Sequence, residues 1–197
     1  MSINISFLIG ILVSNILINN YVLSRFLGIC PFVGVSKSIS SALGMGFAVI
    51  FVMTLTAAVT WPIQQLLIHW NIEYMQTVTF ILVIAALVQL VEMVIQKTSP
   101  VLYSALGIYL PLITTNCAVL AVAILNITDN LNFLESIVQG FAGGAGFTLA
   151  LFLMSGIRER LELADIPESL KGMPIAFIIS GLMSIAFLGF SGMSFAK

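Results

Sequence analysis

The amino-acid sequence predicts an all-α integral membrane protein, six transmembrane helices arranged as two inverted three-helix repeats. Three observations predict it. Apolar residues make up 60% of the chain against 8% charged, with a mean hydropathy of +1.15. A soluble domain of 197 residues leaves too much of its surface in water to hide that much apolar area. Apolar runs near the length that spans a hydrocarbon core recur from one end of the chain to the other. Finally, each half opens with a long segment that carries one cysteine and is punctuated by proline and glycine, and each continues with a glycine-rich span.

The spans are read between polar breaks, at about 4–24, 40–62, 77–96, 101–125, 133–156 and 172–193. The leading residues Met1-Ser2-Ile3-Asn4 lack the basic region and cleavage site of a removable signal, so the first span is expected to stay. Gln64, Gln65, His69, Asn71 and Glu73 break the second gap, and Asn126, Thr128, Asp129, Asn130 and Asn132 the fourth. Neither gap contains Lys or Arg. Arg25 and Lys37 fall in the first gap, Lys97 in the third, and Arg158, Arg160 and Lys171 in the fifth. The positive-inside rule sets those three gaps in the cytoplasm and both termini in the periplasm of a bacterial inner membrane. Arg25 fits least well, because it lies deeper than a loop residue should. Trp61, Trp70 and Tyr74 are expected in an outer aromatic belt.

The first and fourth segments are too long for one straight helix. A continuous helix from Ile3 to Ser36 would reach about 50 Å across a core of about 30 Å. Gly28-Ile29-Cys30-Pro31-Phe32-Val33-Gly34 punctuates the first, and Gly107, Pro111 and Thr114-Thr115-Asn116-Cys117 the fourth. Both are expected to be interrupted near the membrane midplane, with non-helical backbone beside each cysteine. Asn19, Asn20 and Asn116 are expected to satisfy that freed backbone.

Repeat one is expected over about 1–98 and repeat two over about 99–197, within a single transmembrane domain. Leu27-Gly28-Ile29 recurs as Leu106-Gly107-Ile108, and Gly46-Phe47-Ala48 as Gly140-Phe141-Ala142. With an odd number of spans per repeat, the second copy inserts upside down, as in transporters whose sites form where broken helices meet. Cys30 and Cys117 then approach one depth from opposite faces.

From the residues alone these cysteines have three readings: cluster ligands, inert buried thiols, or a disulfide. The ligand reading has a fixed consequence. An iron–sulfur cluster usually takes four thiolates, and the chain has two, so a partner must supply the others. The other marked residues read as structural. Glu92 is an interfacial carboxylate near Lys97, and His69 a surface imidazole beside Trp70. Gly140, Gly143, Gly144 and Gly146 let helices approach closely; no strand or lysine supports a phosphate loop there. The stretch 158–165 is a charged connector. No catalytic constellation is present, and no basic tract suggests nucleic acid as a partner.

Two long stretches, Phe26-Leu27-Gly28-Ile29-Cys30-Pro31-Phe32-Val33-Gly34-Val35-Ser36-Lys37 and Leu106-Gly107-Ile108-Tyr109-Leu110-Pro111-Leu112-Ile113-Thr114-Thr115-Asn116-Cys117-Ala118-Val119, resemble the signature segments of the RnfA/RsxA family of Rnf (Rsx) electron-transport complexes. Gly156-Ile157-Arg158-Glu159-Arg160 and Gly189-Phe190-Ser191-Gly192 extend the likeness nearly end to end. The resemblance implies a translocase subunit with no activity of its own, paired with the similar subunit RnfE. Each would give two cysteines to a shared intramembrane [2Fe-2S] cluster, with Cys30 and Cys117 as this chain's cofactor and metal ligands. It also implies further subunits B, C, D and G, and electron flow between ferredoxin and NAD coupled to Na+ or H+ movement. The related E-type component of Na+-translocating NADH:quinone oxidoreductase is the alternative within the family. Outside it, the alternatives are a secondary transporter without a redox centre and a purely structural assembly subunit.

Overall fold

The computed structural model describes residues 5–98 and 110–190, all helix, turn or coil with no strand among them. Helix α1 (Ile5–Val13) runs into a π-helical turn, Ser14–Ile18. Next come α2 (Ile29–Val35), α3 (Ile39–His69) and α4 (Gln76–Thr98). In the second half, α5 (Leu110–Thr114), α6 (Cys117–Thr128), α7 (Phe133–Glu162) and α8 (Met173–Leu188) follow.

Three stretches are long and apolar enough to cross a membrane: Ile39–His69, Glu73–Val94 and Phe133–Glu162. Ser6–Ile18, Leu112–Thr128 and Met173–Leu188 are shorter apolar helices. These stretches fall in the order of the six expected spans. The first part of the fourth span, with Leu106-Gly107-Ile108, lies outside the described residues, as does Gly192.

The centre of the molecule is the α3–α7 pair. A Cβ on Gly144 would lie 2.6 Å from Ile50 Cα, and one on Gly140 2.9 Å from the Met53 carbonyl oxygen and Ala57 Cβ. Gly46 meets the Thr148 side chain in the same way. Residue numbers rise along one helix as they fall along the other, so the two run antiparallel at backbone contact. Such closeness needs glycine, and small residues at the seam are how helices associate where lipid removes the hydrophobic drive. Gly143 and Gly146 turn to a different neighbour, the Tyr21 ring and the Asn15 carbonyl of the first segment. The glycine run thus serves two faces of α7, the close packing expected of it.

Around this pair the core closes with Tyr21, Phe32, Phe80, Met53 and Phe147, all fully buried. The outside is apolar too: Phe47, Leu82 and Ile185 are each about two-thirds exposed. An apolar core inside an apolar coat is the pattern lipid imposes, since hydrocarbon accepts Leu and Phe but not unpaired backbone.

Two boundaries differ from the sequence expectation. Helix α3 continues past Trp61-Pro62 to His69, with Gln64 buried against its neighbours. Packing outweighs polarity there, because Gln64 lies on the inward face that Thr56 and Thr60 also occupy. Helix α7 likewise carries the charged stretch to Glu162 rather than ending at 156.

Candidate redox site: two cysteines at two helix breaks

The first segment breaks after Ile18, and one side chain replaces the missing ladder. Asn20 is fully buried. Its Oδ1 accepts the N–H groups of Val22 at 3.0 Å and Leu23 at 3.3 Å. Its Nδ2 donates to the Ile16 carbonyl at 3.2 Å and, across the interface, to the Gly146 carbonyl at 2.7 Å. The Ser184 hydroxyl of α8 donates to the Leu23 carbonyl. The backbone freed by the break is therefore tied to α7 and α8, the condition for irregular chain inside a membrane.

The break ends at Gly28, whose φ of 76° is left-handed. A Cβ there would stand 2.8 Å from Phe147 Cε2 and 2.9 Å from Asn116 Oδ1, so only glycine fits both the space and the backbone. Helix α2 starts at the next residue, which puts Cys30 in its first turn. The fourth segment breaks between Thr114 and Cys117, and α6 restarts with Cys117 as its first residue. Asn116 caps it, Oδ1 accepting the Ala118 N–H at 3.0 Å. Each cysteine thus lies in the first turn of the helix that follows its break.

The two breaks meet. The Gly28 N–H donates to Cys117 Sγ at 2.9 Å, linking positions 89 residues apart. That contact sets the second cysteine against the turn that carries the first. Both cysteines are exposed on this chain's surface rather than sealed in its core. Among the described residues, no group of three or more His, Cys, Asp or Glu side chains stands together.

The far end of α2 is held by a residue the sequence reading treated as part of a connector. Arg158 Nη1 donates to the Val33 carbonyl at 2.7 Å and to the buried Ser36 hydroxyl at 2.9 Å. A cation at a helix C-terminus meets the negative end of the dipole. The partners are 125 and 122 residues apart, so no local spacing announces them.

Arg25 is also placed differently from a loop residue of the first gap. It lines a cleft with Asn15, Tyr21, Asp129, Leu131 and Gln139. Leu131 accepts the Trp61 Nε1–H at 2.9 Å, so this cleft opens at the end where α3 finishes and α7 begins. The turn after Asn20 sends the chain back on itself, and Arg25 goes with it. His69, Trp70 and Tyr74 are exposed, and Glu92 accepts from Gln89 at 3.4 Å on the α4 surface.

A family model described as "Rnf-Nqr subunit, membrane protein" matches residues 8–194. The A-type component of the Na(+)-translocating ferredoxin:NAD(+) oxidoreductase complex of Acetobacterium woodii is 60% identical over 187 residues, 94% of this chain and 97% of that protein. The A-type component of the ion-translocating oxidoreductase complex of Syntrophotalea carbinolica is 54% identical, with the same coverage. Its counterpart in Aliivibrio salmonicida is 55% identical over 184 residues, 93% of this chain and 95% of its own. With breaks, cysteines and glycine seam in one chain that matches these proteins nearly end to end, it belongs to the Rnf-Nqr family of membrane subunits, as an A-type component of an ion-translocating oxidoreductase complex.

Proposed function

We propose that this protein carries electrons through the membrane by holding half of a [2Fe-2S] cluster, completed by two thiolates of a homologous partner and coupled to Na+ or H+ movement. The observation that carries the reading is the Gly28 N–H on Cys117 Sγ, which joins the two cysteine-bearing breaks.

The residues present fit the group. Two thiols form the donor set, and both are exposed where a second chain can add two more. When bound, the cluster supplies one-electron redox chemistry. The chain's own residues would hold and tune its surroundings: Cys30 and Cys117 would bind it, and the Gly28 N–H donates to Cys117 Sγ. Phe147 and Ala118 pack against the Gly28 turn and keep water from that side.

The inverted three-plus-three repeat has support in the α3–α7 seam. Gly46 and Gly140, which begin the recurring triads, each face the opposite helix of the pair. Eight residues beyond each stands a threonine whose hydroxyl donates one turn back: Thr54 to the Ile50 carbonyl at 2.7 Å, Thr148 to the Gly144 carbonyl at 2.8 Å. Ile50 and Gly144 touch each other. An antiparallel pair with matched devices about one contact is the arrangement a two-fold axis in the membrane plane would generate. In this reading both termini face the periplasm, and Lys37, Lys97, Arg158, Arg160 and Lys171 mark the cytoplasmic side without Arg25.

Iron and sulfide analysis of the chain purified alone and with its partner tests the proposal. The cluster is expected only in the pair, and Cys30→Ser or Cys117→Ser is expected to abolish its electron paramagnetic resonance signal. A Cys30→Ser complex that keeps the signal unchanged refutes the ligand assignment.

A further inference from the structure

Helix α7 carries one charged turn beyond its apolar stretch, and the chain then returns over 163–172 to start α8. A cavity of about 320 Å³ lies in that return. Arg158 and Glu162 of α7 and Lys171 before α8 line it, so two cations and one carboxylate share one space. Glu159, Arg160, Asp165 and Glu168 belong to the same charged stretch but not to this lining. The remaining wall is mostly apolar, from Leu161, Ala164, Ile166 and Ile175. Gly172 completes it as the N-cap of α8, a helix whose first turn has no side-chain cap. The positive end of that helix dipole therefore borders the cavity.

An apolar groove adjoins it. The groove follows α7 along Phe152, Leu153, Gly156 and Ile157, and shares Leu161 with the cavity. Phe152, Leu153 and Ile157 are exposed, and a Cβ on Gly156 would meet nothing within 4 Å. Arg160 stands at the charged end of the groove. A charged chamber beside an apolar channel, at the end of a spanning helix, has the two halves of a phospholipid site, one for the headgroup and one for an acyl chain. A soluble anion would use only the first.

We propose that this cavity binds the headgroup of phosphatidylethanolamine, with Arg158 and Lys171 on its phosphate and Glu162 on its ammonium. The lining selects the headgroup. A phosphodiester that carries a primary ammonium matches two cations and one carboxylate. Phosphatidylglycerol would leave Glu162 facing negative charge, and a choline headgroup has no N–H to donate to it. Arginine has five N–H groups, and Arg158 Nη1 is already engaged by the Val33 carbonyl and the Ser36 hydroxyl. Its Nη2 and Nε groups are the donors for the phosphate. A bound headgroup therefore braces the clamp on α2, the helix with Cys30 in its first turn. Lipid occupancy reaches the cysteine site through one guanidinium, and binding itself does not rest on the redox reading above.

The test is native mass spectrometry and hydrogen exchange of the purified full chain in detergent. It is titrated with phosphatidylethanolamine, phosphatidylglycerol or phosphatidylcholine of identical acyl chains, and separately with glycerophosphoethanolamine, the same headgroup without chains. Phosphatidylethanolamine is expected to bind tightest and to slow exchange within residues 171–176 and, through Arg158, within 29–36. Lys171→Gln removes a phosphate contact and is expected to raise the half-saturating lipid concentration about tenfold. Glu162→Gln is expected to abolish the preference over phosphatidylcholine. Lys37→Gln changes a cation outside the cavity and is expected to alter neither. Equal binding of the three lipids overturns the proposal, as does an unaltered response in both Lys171→Gln and Glu162→Gln. Glycerophosphoethanolamine binding as tightly as the lipid overturns the membrane source of the ligand. Exchange in 171–176 that no lipid slows, but that the other subunits of the complex do, makes this face a protein interface and overturns the proposal too. Iron content reads the cysteine site separately, so failure of one proposal is not mistaken for failure of the other.

Discussion

Gly28→Ala strikes the residue on which the cysteine site turns. Two separate penalties act. At a φ of 76°, a Cβ brings the left-handed penalty of about 1–2 kcal/mol. The new methyl would also land 2.8 Å from Phe147 Cε2 and 2.9 Å from Asn116 Oδ1, and overpacking of this kind costs about 1–3 kcal/mol. Neither neighbour yields freely: Phe147 is fully buried, and Asn116 Oδ1 is engaged as the cap of α6. Together the terms give about 2–5 kcal/mol of destabilisation, concentrated at the turn that sets the Gly28 N–H on Cys117 Sγ. The assay is thermal unfolding of the purified complex, combined with iron content and the resonance spectrum of the proposed cluster. A lower unfolding temperature is expected together with loss or broadening of the cluster signal. Phe147→Leu in the same chain is expected to restore part of the stability, because it removes the ring contact but not the backbone term. Unchanged stability and an unchanged spectrum in Gly28→Ala would refute the account of this turn.

Three further outcomes follow from the packing. Asn20→Ala leaves the Val22 and Leu23 N–H groups and the Gly146 carbonyl without their partner, and is expected to destabilise by about 2–4 kcal/mol in denaturant titration. Gly144→Val drives a branched side chain into the Ile50 backbone and is expected to lower the unfolding temperature of the chain by more than any substitution at exposed Phe47. Arg158→Met keeps an apolar stem but abandons the Val33 carbonyl and Ser36 hydroxyl. Hydrogen exchange is expected to accelerate within residues 29–36 and to stay unchanged in the middle of α3.

Much of the fold was legible because lipid leaves so few options. Uncharged runs of spanning length can only be helices, and lone prolines and glycines inside an overlong run mark where a helix must stop. The breaks beside Cys30 and Cys117 were read on that ground, as was Asn20 as a backbone substitute. The ends of α3 and α7 were misread because polarity was taken as exposure. Gln64 faces inward, and Arg158 reaches across to hold another helix. Arg25 misled for the same reason, since a charge between two apolar runs looks like a loop until the chain is seen to fold back.

What the sequence determined by itself is local and compositional: which stretches are helical, where they break, and that a cysteine sits beside each of two breaks. Hydropathy and backbone hydrogen bonding act over one or two turns, so they are written in consecutive residues. Only the tertiary structure decided that Gly28 meets Cys117, that Gly140 and Gly144 meet α3 while Gly143 meets Tyr21, and that Arg158 closes α2. Those pairings depend on which helix faces lie together at backbone distance, and no local rule of periodicity or spacing fixes that.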